Sequence, residues 1–210
     1  MIVTDLSQLI SPQMPVYPGT EPPEFIAACT KVKDGFVEKK ISLYSHTGTH
    51  MDAPAHILPG AKTLDEFPVS HFFGQAAVLG VTTERTITKT SLEQFVPLIR
   101  KSEFVLLYTE WSKFWGTDTY FSDFPVLTAE AAHWLSNFDL KGIGVDTISV
   151  DKVGTTDYTN HKIFLEKEII IIENLTNLRN LSGTLADLYC FPLLFSEADG
   201  SPVRAVAVHK

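Results

Sequence analysis

Two uninterrupted apolar runs constrain this chain most. Phe104-Val-Leu-Leu-Tyr108 and Ile169-Ile-Ile-Ile172 contain no charged residue and no apolar–polar alternation. A strand with one wet face alternates, whereas a strand covered on both faces reads as a continuous apolar run. Both runs are too short for a typical helix and rich in β-branched or aromatic residues, so they predict central strands of a sheet packed between two layers. Further strands are expected at the N-terminus (Met-Ile-Val-Thr-Asp-Leu) and at 24–31, 36–45, 76–81, 103–108, 142–146, 169–173 and 203–208. Helices are expected at 92–101, opened by the capping box Thr90-Ser-Leu-Glu93, at 129–138 after Thr128, and at 161–166 after Asn160. The first half is mostly strands, and strands alternate with helices in the second. This predicts an α/β domain with a mixed β-sheet and flanking helices. With 210 residues the chain can bury roughly 70% of its unfolded surface as one domain over 1–210.

Charge narrows the partners. The net charge is −8 and the basic residues are scattered, which argues against nucleic acid and anionic membranes, both of which need a basic patch. No apolar run approaches the ~20 residues of a membrane helix, and the N-terminus lacks the basic and apolar regions of a signal peptide. Cys29 and Cys190 are far apart and neither sits in a Cys-x-x-Cys pair. They are expected as reduced thiols of a cytoplasmic protein.

The segment that carries chemistry is His46-Thr-Gly-Thr-His50-Met-Asp52-Ala-Pro-Ala-His56. It places three histidines and an aspartate at even positions within eleven residues. Alternate residues of an extended chain share a face. A helix is excluded because Thr-Gly-Thr separates the first two histidines and Pro54 follows. On a flat strand His46 and His50 would lie about 13 Å apart at Cα, given a rise of ~3.3 Å per residue. Gly48 is therefore expected to bend the chain and bring the rings together, and Pro54 to turn it so that His56 approaches from another direction. One histidine alone reads as an ordinary hydrogen-bonding residue. Three with an aspartate on one bent face point to a metal site, and imidazole and carboxylate donors without thiolate suit zinc, manganese or iron. A second polar group, Asp146, Asp151, Asp157, His161 and Glu173, lies downstream. Each alone is most simply a solvated or capping residue, but Asp146 and Glu173 end apolar strands, where sites of α/β sheets form.

This segment resembles the His-x-Gly-Thr-His-x-Asp-x-Pro-x-His signature of the metal-dependent cyclase family, which includes bacterial kynurenine formamidases and isatin hydrolases. The likeness extends to Met14-Pro-Val-Tyr-Pro-Gly19, Gly144-Val-Asp-Thr-Ile-Ser149 and Ile171-Ile-Glu-Asn-Leu175. The resemblance implies a swivelling β/β/α fold and a homodimer or higher homo-oligomer. It implies two divalent ions, zinc or alternatively manganese. His46, His50 and Asp52 would hold one. Asp52, shared, would hold the other with His161 and Glu173, which stand twelve residues apart. His56 would carry the proton, and the substrate would be a small amide such as N-formyl-kynurenine. Tyr17 stands where the formamidases place a substrate-contacting Trp, so the pocket differs there. Phe25, Phe67 and Phe72 are further candidates for pocket walls. Other readings are a lactam or isatin ring hydrolase, a cyclase, and a non-catalytic metal-binding module. The last has no use for a proton carrier at His56.

Overall fold

The structure, a computed structural model, describes residues 1–209. In chain order the strands are β1 (Ile2–Asp5), β2 (Glu24–Cys29), β3 (Glu38–Ser42), β4 (His50–Asp52), β5 (Phe73–Gly80), β6 (Thr86–Ile87), β7 (Phe104–Tyr108), β8 (Val126–Leu127), β9 (Gly142–Val145), β10 (Ile170–Glu173), β11 (Leu185–Pro192) and β12 (Gly200–His209). The α-helices are α1 (Lys31–Asp34), α2 (Lys89–Glu93), α3 (Val96–Ile99), α4 (Ala129–Leu135) and α5 (Thr159–Leu165). The main sheet runs β1-β12-β11-β5-β7-β9-β10-β4, and β4 bonds in addition to the start of β12. The sheet thus curls back on itself like a barrel. Its centre, β5-β7-β9-β10, is parallel and the remaining main-sheet pairings are antiparallel. This is the expected α/β mixed sheet with helices outside it.

The two apolar runs occupy that centre. Phe104, Leu106, Ile170 and Ile172 face an inner core with Met51, Leu6 and Leu188. Val105, Leu107 and Ile171 face an outer core closed by residues of α2, α3, α4 and α5, including Leu92, Ile99, Leu135 and Phe164. Burying such a Leu, Ile or Phe side chain contributes about 1.5–3 kcal/mol relative to exposure. Along the two apolar runs themselves both faces are therefore apolar, and the polar Glu173 comes only at the end of β10.

Three expectations need correction. The helix predicted at 92–101 is two short helices: Thr88, not Thr90, caps α2 by accepting from the Ser91 N–H, and Pro97 sits in the first turn of α3. Proline suits a helix start and breaks a helix interior. The segment 46–56 is extended only at β4, flanked by the Gly48 turn and a 3₁₀ turn at Pro54–His56. The strand β11 was missing from the sequence expectations, although Ala186, Leu188 and Cys190 alternate inward with exposed Asp187, Tyr189 and Phe191. Both cysteines are free thiols. Among the described residues no helix is long and apolar enough to cross a membrane.

Candidate metal centre

β4 is the keystone of the site. It lies between β10 and β12, with His50 opposite Glu173 and Asp52 opposite Gly200. Directly opposed residues of an antiparallel pair project on one face, and His50 and Asp52 are two apart. Strand register alone therefore brings His50, Asp52 and Glu173 together, all of them buried. His50 Nε2 lies 3.4 Å from Asp52 Oδ1 and 3.5 Å from Glu173 Oε2.

His161 reaches the same point from α5. Its Nε2 is 3.7 Å from Asp52 Oδ2 and 3.6 Å from Glu173 Oε1. Asp151 holds it there, accepting from the His161 backbone N–H at 3.1 Å and from Nδ1 at 2.7 Å. Because the carboxylate accepts from Nδ1–H, the lone pair of Nε2 faces Asp52 and Glu173. His50 is set the same way: Nδ1 donates to the Gly48 carbonyl at 2.8 Å, leaving Nε2 as the free donor atom. Asn174, on the residue after β10, donates to that same carbonyl at 2.7 Å and accepts from the buried Tyr120 hydroxyl at 2.7 Å.

The expected bend is present. Gly48 has φ +66°, a left-handed conformation that other residues rarely adopt. It folds His46 back so that its Nδ1 lies 2.7 Å from Asp52 Oδ1. The other ring nitrogen, Nε2, donates to Asp199 Oδ2 at 3.1 Å. The 3₁₀ turn at Pro54 then brings the His56 ring to 3.9 Å from that of His46, centroid to centroid. His46, His50, Asp52, His56, His161 and Glu173 thus line one cavity of about 380 Å³.

The electrostatics describe a site short of positive charge. Burial and the neighbouring Asp52 carboxylate push Glu173 well above the ordinary carboxylate range. Burial acts the same way on Asp52, but His46 and His50 hold it well below its usual value. Burial would lower His46, yet Asp52 and Asp199 raise it to about 9. His56 has no comparable partner. Burial, with the charges of His46 and His161 adding to it against Asp52 and Asp199, lowers it to about 4. Asp52 Oδ2 is buried and has no hydrogen-bond partner. A buried carboxylate oxygen without a donor is costly, and this one faces His161 Nε2 and Glu173 across a gap that a cation suits. The three triads His46–His50–Asp52, Asp52–His56–His161 and His46–His56–Asp199 each place donor atoms within 4.8 Å of one another.

Above the histidines the wall is formed by Met14, Val16, Tyr17, Tyr44, Ile148 and Tyr158. Tyr17 lines the cavity, and its hydroxyl accepts from the Gly154 N–H at 3.3 Å. The other aromatic wall candidates do not line it. Phe67 and Phe72 belong to the inner core, and Phe25 lies on the β2–β3 hairpin. Asp146 is buried beneath, bonded by the Thr109 N–H at 3.0 Å, and burial pushes it up to about 6. Neither it nor the exposed Asp157 lines the cavity. Asp199 has no signal in the sequence, and Asn174 is marked only as part of the family-like segment Ile171–Leu175. Asp199 is 153 residues from His46, and its Asp-Gly dipeptide reads as a plain turn.

Comparison with known proteins agrees with this geometry. Residues 4–152 match the Cyclase family, described as "Putative cyclase". The chain belongs to the cyclase family. Among curated members it is 33% identical to a kynurenine formamidase of Bacillus cytotoxicus, over 96% of this chain and 95% of the relative. Two solved cyclase-fold structures superpose closely. One is described as a potential metal-dependent hydrolase with cyclase activity, with TM-score 0.83, 26% identity, and 98% and 96% of the two chains covered. The other is isatin hydrolase A from Ralstonia solanacearum, with TM-score 0.86, 25% identity, and 99% and 92% covered.

Proposed function

We propose that this cyclase-family chain is, over 1–210, a metal-dependent amide hydrolase of small molecules, acting on N-formyl-kynurenine or a closely related aryl formamide. The observation that carries the reading is the orphaned Asp52 Oδ2, 3.7 Å from His161 Nε2 and on a carboxylate whose other oxygen faces His46 and His50, in an apolar-walled cavity. His46, His50 and Asp52 would hold one divalent ion, and Asp52, His161 and Glu173 a second. Zinc fits these donors, with manganese the alternative. Bound there, such ions polarise the amide carbonyl and lower the pKa of water from 15.7 toward about 7.

The chain's own groups do the rest. His56 is half-buried, neutral at pH 7, and packed against His46 at the mouth of the cluster. It can therefore accept the proton of the attacking water and return it to the nitrogen as the C–N bond breaks. The products are formate and an aromatic amine, with the water's atoms divided between them. Tyr17, Tyr44 and Tyr158 give the aryl ring aromatic surfaces. Asp151 and the Gly48 carbonyl fix the tautomers of His161 and His50, as partners of ligating histidines do. The family setting favours a homodimer or higher homo-oligomer in the cytoplasm.

The test is a turnover screen of protein loaded with zinc or manganese against N-formyl-kynurenine, simple formyl-anilides, lactams and isatin. The highest kcat/KM is expected for the aryl formamides. A preference for isatin or lactams would move the assignment to ring opening by the same groups, and no hydrolysis of any amide would end it.

A further inference from the structure

The His46 ring is partly exposed to the cavity, and two of the residues that hold its inner side belong to a part of the chain outside the signature. Gly200 opens β12 and stands directly opposite Asp52. A Cβ built on Gly200 would fall 2.4 Å from His46 Cε1, 2.6 Å from Nε2 and 2.9 Å from Nδ1. The missing side chain is therefore the space in which the ring lies against Asp52. The preceding residue, Asp199, accepts the Nε2–H at 3.1 Å and lies 3.9 Å from His56 Nδ1. Its backbone is anchored, since the Asp199 carbonyl accepts from the Ala53 N–H at 2.9 Å and Asp65 receives the Ala198 N–H at 3.1 Å.

We propose that Asp199 and Gly200 form the cradle that positions His46, so that this dipeptide sets the affinity of the outer of the two cation positions. The inference rests on the metal reading above. With an ion bound, Asp199 would keep the His46 proton on Nε2 and leave Nδ1, which otherwise bonds to Asp52, as the ligand atom. Gly200 fixes where the ring sits. A carboxylate on the far nitrogen of a ligating histidine orients the ring and raises its basicity, and loss of such a partner typically costs 10–100-fold in metal affinity. Asp199 and Gly200 are positioning residues: neither reaches the reacting atoms. The inner position has its own carboxylate, Asp151 on His161 Nδ1, and does not depend on this dipeptide.

Gly200→Ala is a clean probe. The backbone at Gly200 is ordinary strand, and the three atoms nearest the new methyl all belong to the His46 ring, which can swing toward the cavity. Zinc binding is measured by equilibrium dialysis and chelator competition for the wild type and for Gly200→Ala, Asp199→Ala and Asp199→Asn. Histidine-ring ¹H–¹⁵N spectra report the His46 tautomer, and circular dichroism reports folding. The wild type is expected to take two ions per chain. Gly200→Ala and Asp199→Ala should weaken one of them by about 10–100-fold and leave the other within about twofold. Asp199→Asn, which keeps an acceptor oxygen without the charge, should fall between and preserve the Nε2–H tautomer. Unchanged affinity at both positions in the folded variants overturns the cradle. So does equal weakening of both ions, which is the mark of a general structural role. A wild type that binds no zinc or manganese instead overturns the metal reading itself. Should Asp199→Ala fail to fold, Gly200→Ala and Asp199→Asn still decide the question.

Discussion

The two halves of the site are built differently. The inner half, His50, Asp52, His161 and Glu173, is buried and fixed by regular structure: two strands in register and one helix whose histidine is held by a carboxylate. The outer half, His46, His56 and Asp199, is partly exposed and fixed by turns: a left-handed glycine, a proline-led 3₁₀ turn and the approach to β12. Sheet register cannot shift by one residue without exposing the core, so the inner half can hold a cation rigidly. Turns can be re-aimed at small cost, and the outer half opens onto the aromatic wall where a substrate arrives. The division sets the deep cation position on regular structure, and the outer position and the substrate approach on turns.

The sharpest test of that division is Asp52, which faces both halves. Asp52→Ala should lose both ions, and His161→Ala mainly one, in elemental analysis of protein dialysed against zinc or manganese. Full stoichiometry in both variants would remove these residues from the site. Titration gives a second, intermediate effect. In chelator-treated protein His46, raised to about 9, is protonated more readily folded than unfolded. It contributes stability that is full below the unfolded value of about 6.5 and is lost as pH rises toward 9. His56, lowered to about 4, acts in the opposite sense: its contribution is present above 6.5 and lost as pH falls toward 4. These two contributions together are largest near pH 6.5, whereas the raised Glu173 and Asp146 carboxyls favour lower pH, so the two histidines are separated by comparing variants. His46→Gln should flatten the alkaline limb and His56→Gln the acid one. Identical profiles in all three proteins would contradict the assigned environments. The smallest effect is at the wall. Tyr17→Trp should raise turnover of N-formyl-kynurenine relative to smaller formamides by a few-fold at most, because it enlarges a surface without touching the reacting atoms. An unchanged ratio would place Tyr17 outside substrate contact.

What the sequence disclosed follows the same division. His50 and Asp52 are legible from strand periodicity, whereas Glu173 reads only as a strand end and His161 as a helix start, and their role as ligands comes from the family resemblance. The bend at Gly48 was legible too, since a glycine among β-branched neighbours has few other uses. Asp199 was not, because its meeting with His46 depends on β12 closing the sheet against β4, a long-range pairing with no local signature. β11 was overlooked for a related reason: its outward positions carry Tyr189 and Phe191, which blur the alternation. The division of 92–101 into two helices turns on Pro97, whose place in a first turn depends on where the preceding helix ends.

The most direct measurement is metal content and turnover of His56→Ala on the substrate the screen identifies. His56 is proposed to move the proton and not to hold an ion. The variant should keep the wild-type stoichiometry and fold while losing about 10²–10⁴ in kcat, the usual contribution of a positioned acid–base group. Loss of an ion would make His56 a ligand. Near-wild-type turnover with both ions retained would contradict the account at its centre.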